Sequence, residues 1–157
     1  MIGYGSPLGV YVHLPWCLSK CPYCDFNSHA IQGELPADRY VDALLADLEA
    51  ELPLIWGRTV HSVFIGGGTP SLFPARQIER LLDGLRARLD MAPGAEITLE
   101  ANPGAAEHDR FAAYRDAGVN RVSLGIQSFD DSLLQAIGRV HGRAEAVQAV
   151  ESVIRAG

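Results

Sequence analysis

Val12-His13-Leu14-Pro15-Trp16-Cys17-Leu18-Ser19-Lys20-Cys21-Pro22-Tyr23-Cys24-Asp25-Phe26 is the stretch around which the chain is read. All of the chain's cysteines lie in it, spaced C-x3-C-x2-C. Thiolates this close in sequence can converge on one metal centre. Three soft ligands without an obvious fourth form an unusual set. Structural zinc normally takes four protein ligands, and so does a typical iron–sulfur cluster. Three thiolates on a four-iron cluster would leave one iron open to hold and reduce a small molecule. The alternatives are a zinc site completed by His13 or His29, or three unpaired thiols.

Outward from that loop the chain alternates strands and helices. Gly9–Leu14 predicts a short buried strand, β-branched and aromatic, halted by Pro15. Asn27–Gly33 is polar and turn-rich. Pro36–Leu52 predicts a helix, with Val41, Leu44, Leu45, Leu48 and Leu52 on one face and Pro53 and Gly57 closing it. Val60–Ile65 predicts a second strand running into Gly66-Gly67-Gly68-Thr69-Pro70. From about Pro74 to Leu89, Ile78, Leu81, Leu82, Leu85 and Leu89 repeat the spacing of the first helix. This repetition marks a βα unit used more than once.

Glu96–Ala101 predicts a third strand, ended by Asn102-Pro103-Gly104. A helix from about Ala106 to Ala117 follows, stopped by Gly118. Asn120–Ile126 predicts a fourth strand, and short helices are expected near Asp131–Ile137 and Arg143–Ala156. The alternation implies an α/β fold with a parallel sheet and right-handed crossovers. Each polar or glycine-rich segment falls just after a strand, the end where βα folds collect their chemistry.

The chain has 157 residues, about one ordinary domain. Its 19 acidic against 13 basic residues argue against a nucleic-acid surface. Lys20 is the only lysine. An odd number of cysteines does not suit a disulfide framework, and clustered free thiols suit a reducing cytoplasm. No apolar run approaches the ~18–20 residues of a membrane span, and the N-terminus lacks a secretory signal pattern.

Tyr11-Val12-His13-Leu14-Pro15-Trp16-Cys17, followed by C-x3-C-x2-C, resembles the cluster loop of the radical S-adenosylmethionine (SAM) family. The branch it is most similar to contains oxygen-independent coproporphyrinogen III oxidase and the HemW haem chaperones. The resemblance implies a 4Fe–4S cluster on Cys17, Cys21 and Cys24, with SAM chelated at the open iron. It implies reductive cleavage of SAM and a (β/α) barrel of about six units. Four βα units do not close a barrel, so residues 1–157 are expected to be the N-terminal part of a radical SAM core domain. The remaining units and a C-terminal region would lie outside it.

Further residues match the family segment by segment. Gly67, Gly68 and Thr69 resemble the GGGTP turn that holds the amino end of SAM. Glu100, in Leu99-Glu100-Ala101-Asn102-Pro103, is a SAM contact by resemblance; a carboxylate there can accept from an ammonium or from hydroxyls. Gln127, just past Arg121–Ile126, falls in a match to the family's RxSxGxQSF segment, and its amide offers both donor and acceptor. Arg139, twelve positions on, would suit a carboxylate such as SAM's. Tyr11 and Tyr23 align with positions that border SAM, with core packing as the alternative for each. His13 belongs to the motif but receives no chemical role, and His29, His61, His108 and His141 read as structural or solvent-facing.

Within the branch, the oxidase carries a further cysteine two residues after the third ligand. Here that residue is Phe26, and the run Cys24-Asp25-Phe26-Asn27-Ser28-His29 resembles the haem chaperones. The departure counts against coproporphyrinogen oxidation. It favours haem binding and delivery to an acceptor protein, with an electron donor for the cluster. The implied ligands are therefore the cluster, SAM, and haem or a porphyrin.

Overall fold

A computed structural model describes residues 6–104 and 110–157. The main sheet contains β1 (Leu8–Leu14), β4 (Thr59–Gly67), β5 (Asp90–Ala101) and β6 (Arg121–Leu124), in that order and all parallel. A separate parallel pair, β2 (Trp16–Cys17) and β3 (His29–Ala30), closes the base of the cysteine loop. The helices are α1 (Ala37–Ile55), α2 (Ala75–Arg86), α3 (Phe111–Ala117), α4 (Asp131–Ala136) and α5 (Arg143–Ala156). Four parallel strands with helices against one face match the parallel α/β sheet that the alternation predicts and the incomplete (β/α) barrel that the family resemblance implies.

Alternation along the strands sorts the residues by face. Val12 and Leu14 of β1, Val63 and Ile65 of β4, and Ile97, Leu99 and Ala101 of β5 are buried beneath the helices. Val41 of α1 and Ile78, Leu81, Leu82 and Leu85 of α2 meet them, so both apolar helix stripes face the core. The opposite face carries Tyr11, Phe64 and Glu100. There Tyr11 and Phe64 stack with ring centroids 6.2 Å apart. Buried Tyr114 of α3 donates its hydroxyl to the carbonyls of Ser71 and Phe73, both at 2.8 Å, tying α3 to the short 3-10 turn Pro70–Leu72.

Several boundaries differ from the sequence expectation. Pro53 does not end α1, which runs on to Ile55. Proline there forfeits the bond from its own N to Glu49 O, but only Leu54 and Ile55 follow it, so the kink it imposes falls at the helix end. The third strand starts six residues early, at Asp90. Thr59 and Val60 pair with Asp90 and Met91, then the register shifts and Ser62 pairs with Glu96. Pro93 lies inside that irregularity, where a missing donor is tolerated. The fourth strand is shorter than expected, and α2 stops at Arg86, although Leu89 still packs on the core. The polar stretch after the cysteines contains the strand His29–Ala30. The expected start of the third helix near Ala106, and His108, lie outside the described residues. Gly118 does stop that helix, at φ 108°.

Candidate functional site

One open-mouthed cavity of ≈ 260 Å³ lies at the C-terminal ends of the parallel strands. Cys17, Cys21 and Cys24 border it, and so does Tyr23. Gly67, Gly68 and Thr69 reach it from the end of β4, Glu100 from the end of β5, Gln127 from the loop after β6, and Arg139 from the α4–α5 linker. Ten of the eleven candidate residues thus share one wall system. Tyr11 does not border the cavity. It lies on the adjoining inner face of the sheet, where a Cβ on Gly66 would stand 3.1 Å from its ring and 3.0 Å from Glu100 Oε2. It is not a core tyrosine, being 59% exposed.

The cysteine loop is held by backbone and by one cation. His29 N donates to Pro15 O at 2.7 Å and Ile31 N to Cys17 O at 2.9 Å, stapling the two ends of the loop. Cys24 N donates to Cys21 O at 3.1 Å. Lys20 Nζ spans the loop, donating to Phe26 O and Ser28 O, both at 3.1 Å. Cys17 is buried, while Cys21 and Cys24 are half-buried on the cavity side. None is in a disulfide.

The glycine turn sits directly against that loop. Gly68 N donates to Leu14 O at 2.8 Å and Thr69 N to Trp16 O at 2.7 Å. Gly67 adopts φ 121°, a conformation that excludes most side chains. Its amide donates to Glu100 Oε2 at 3.2 Å, which fixes one carboxylate oxygen at the cavity wall. Gln127 has φ 72°, the one positive φ at a non-glycine position among the described residues. Such strain is held by surrounding structure and concentrates where a side chain must be aimed.

Arg139 Nη1 donates to Cys21 Sγ at 3.5 Å. Its Nη2 donates to Gly125 O and, at 3.4 Å, to Asn102 Oδ1. Its Nε is buried without a partner. Asn102 Nδ2 in turn donates to Thr69 Oγ1 at 3.1 Å. Partial desolvation and then the Glu100 charge push the Tyr11 phenol above its ordinary pKa. Desolvation also raises Tyr23, against the opposing charge of Arg139.

Sequence reasoning left several site residues unassigned. His13 bridges Tyr11 and the cysteine loop. Its Nε2 donates to Asn27 O at 2.8 Å, so Nδ1 accepts from the Tyr11 hydroxyl at 3.0 Å. Asn102, Ser28 and Phe26 line the cavity. The position of Asn102 just after a strand, and of Phe26 and Ser28 just after the third thiol, hinted at their places.

The zinc alternative would take its fourth ligand from His13 or His29. Among the described residues no three His, Cys, Asp or Glu side chains converge on a point that a single ion could fill. Both His13 nitrogens are engaged elsewhere, and His29 is exposed on β3. The donor set does suit a larger group. Three soft thiols wall a cavity, a buried guanidinium N–H lacks a partner, and a glycine turn borders the same space.

The radical SAM superfamily profile matches residues 11–157. The chain is 56% identical over 145 residues to the haem chaperone HemW of Escherichia coli K12, covering 92% of this chain and 38% of that protein. It is 53% identical over 148 residues to HemW of Haemophilus influenzae, covering 92% of this chain and 39% of that protein. The chain therefore spans about two fifths of the length of these curated relatives. The solved structure of Escherichia coli coproporphyrinogen III oxidase, HemN, described as a radical SAM enzyme, superposes with a TM-score of 0.87 at 32% identity. That match covers 99% of this chain and 36% of the oxidase. Among the described residues no helix is long and apolar enough to cross a membrane.

Proposed function

The chain belongs to the radical SAM superfamily, and from that premise we propose that it is the N-terminal part of a HemW-like haem chaperone. The superfamily is characterised by a 4Fe–4S cluster and SAM. In our reading Cys17, Cys21 and Cys24 hold the cluster. Gly67, Gly68, Thr69, Glu100, Gln127 and Arg139 hold SAM, with Tyr11 and Tyr23 beside it. The bound cluster and SAM would supply reductive carbon–sulfur bond cleavage; the chain's part is to bind, orient and exclude solvent. The whole protein would bind haem and deliver it to an acceptor in the cytoplasm, using an electron donor. The rest of the barrel and a C-terminal region would complete it.

One observation carries the proposal: the three thiols, the glycine turn and Phe26 share one cavity. Phe26 borders the same space as the thiols at the position where the oxidase branch has an additional cysteine. An apolar ring replaces a thiol there, which supports the chaperone over coproporphyrinogen oxidation.

The test uses full-length protein reconstituted anaerobically with iron and sulfide. Electron paramagnetic resonance spectra with and without SAM should show a reduced cluster whose signal changes on SAM addition. Haem should bind, and coproporphyrinogen III with SAM and reductant should remain unconverted. Formation of protoporphyrinogen IX would replace the chaperone reading with the oxidase one.

A further inference from the structure

Arg139 and Cys21 are 118 positions apart, yet a guanidinium N–H points at the thiol sulfur from 3.5 Å. The approach is built into the fold. At the preceding residue, Gly138, a Cβ would stand 3.0 Å from Pro22 Cδ, so the α4–α5 linker rests on the cysteine loop at two successive residues. The guanidinium plane is fixed on its other side by Gly125 O and Asn102 Oδ1. A Cβ on Gly125 would stand 2.9 Å from Nη2 and 3.0 Å from Asn102 Oδ1. Three of the five guanidinium donors make these contacts, which leaves Nε–H and one Nη1 N–H uncommitted. Nε is buried and unpartnered, so the contact with the sulfur does not use up the fork.

We propose that Arg139 is a positioning residue that sets the reduction potential of the cluster through a charge-assisted N–H···S bond to Cys21. This rests on the reading of Cys21 as a cluster ligand. A hydrogen bond to a ligating sulfur stabilises the more negative, reduced cluster and raises its potential. A ligand role for SAM alone would leave the SAM-free potential untouched, which separates the two roles.

The experiment is a redox titration, followed by electron paramagnetic resonance, of full-length cluster-loaded protein without SAM. Wild type is compared with Arg139→Met and Gly125→Ala. The second variant keeps the charge but displaces the fork, and carries the test if the first fails to fold. Both should titrate at more negative potential. The reduction equilibrium should fall about tenfold in Arg139→Met, ~59 mV for a one-electron couple, at unchanged iron per chain. Potentials equal to wild type, with only SAM affinity reduced, would overturn the proposal and leave the cluster reading standing. Wild type that holds no cluster would overturn both.

Discussion

Gly68 lies edge-on to the backbone of Trp16: a Cβ built on it would stand 2.5 Å from Trp16 O and 2.7 Å from the carbonyl carbon. The contact joins the end of β4 to the start of the cysteine loop. Because the obstructing atoms are backbone, no side-chain rotation relieves them. Gly68→Ala should therefore push the loop off the turn, costing ~1–3 kcal/mol as overpacking does. Urea unfolding of the apo protein should show the loss, and iron and sulfide uptake should fall with it. Wild-type stability and full uptake in this variant would show that the turn does not locate the loop.

Lys20 is a loop brace whose ammonium is exposed to water. Lys20→Met removes two hydrogen bonds to carbonyls, and solvent competition limits the cost to about 1 kcal/mol. Helix and strand content should not change. Limited proteolysis between Cys17 and His29 should speed up in the apo protein, and cluster reconstitution should slow. Unaltered cleavage would mean that the backbone pair β2–β3 holds the loop unaided.

Tyr114→Phe removes a buried donor from the carbonyls of Ser71 and Phe73 without changing the ring. The expected loss is ~1–3 kcal/mol, read as a lower urea midpoint with an unchanged slope. Cluster content per folded chain should stay at the wild-type level, since the tyrosine lies outside the cavity wall.

His141 is buried and donates Nε2–H to Ile126 O at 3.0 Å, just before Gln127. Burial, and secondarily the Arg139 charge, hold its pKa below the ordinary 6.5, against the opposing effects of the Ile126 carbonyl and Glu145. The unfolded chain thus binds a proton more readily than the folded one below pH 6.5. Stability is full above that pH and declines as pH falls through the window beneath it. His141→Gln should flatten that part of the wild-type stability–pH curve. A curve of equal slope in both proteins would remove His141 as the cause.

The strand–helix alternation was legible because it is written in local periodicity. Val41, Leu44, Leu45 and Leu48 on α1, and Ile78, Leu81, Leu82 and Leu85 on α2, form stripes that face the sheet as expected. The extension of β5 was not legible, because Met91-Ala92-Pro93-Gly94 looks like a turn and becomes an irregular strand only through pairing with β4. The β2–β3 pair was hidden for the same reason. Two residues carry no periodic signal, and their hydrogen bonds come from a segment twelve residues away.

By itself the sequence determined which chemistry was available: three thiols at fixed spacing, a glycine turn after a strand, and acid, amide and guanidinium groups after later strands. Spacing and residue type set these, because donor identity and backbone permissiveness are local properties. Tertiary structure decided which of them meet. Parallel pairing brings the ends of β4 and β5 and the loop after β6 to the same edge as the cysteine loop, leaving Tyr11 on the neighbouring face. It also gave His13 its bridge and carried Arg139 to Cys21, because contacts between distant segments arise only once the sheet has set their separation.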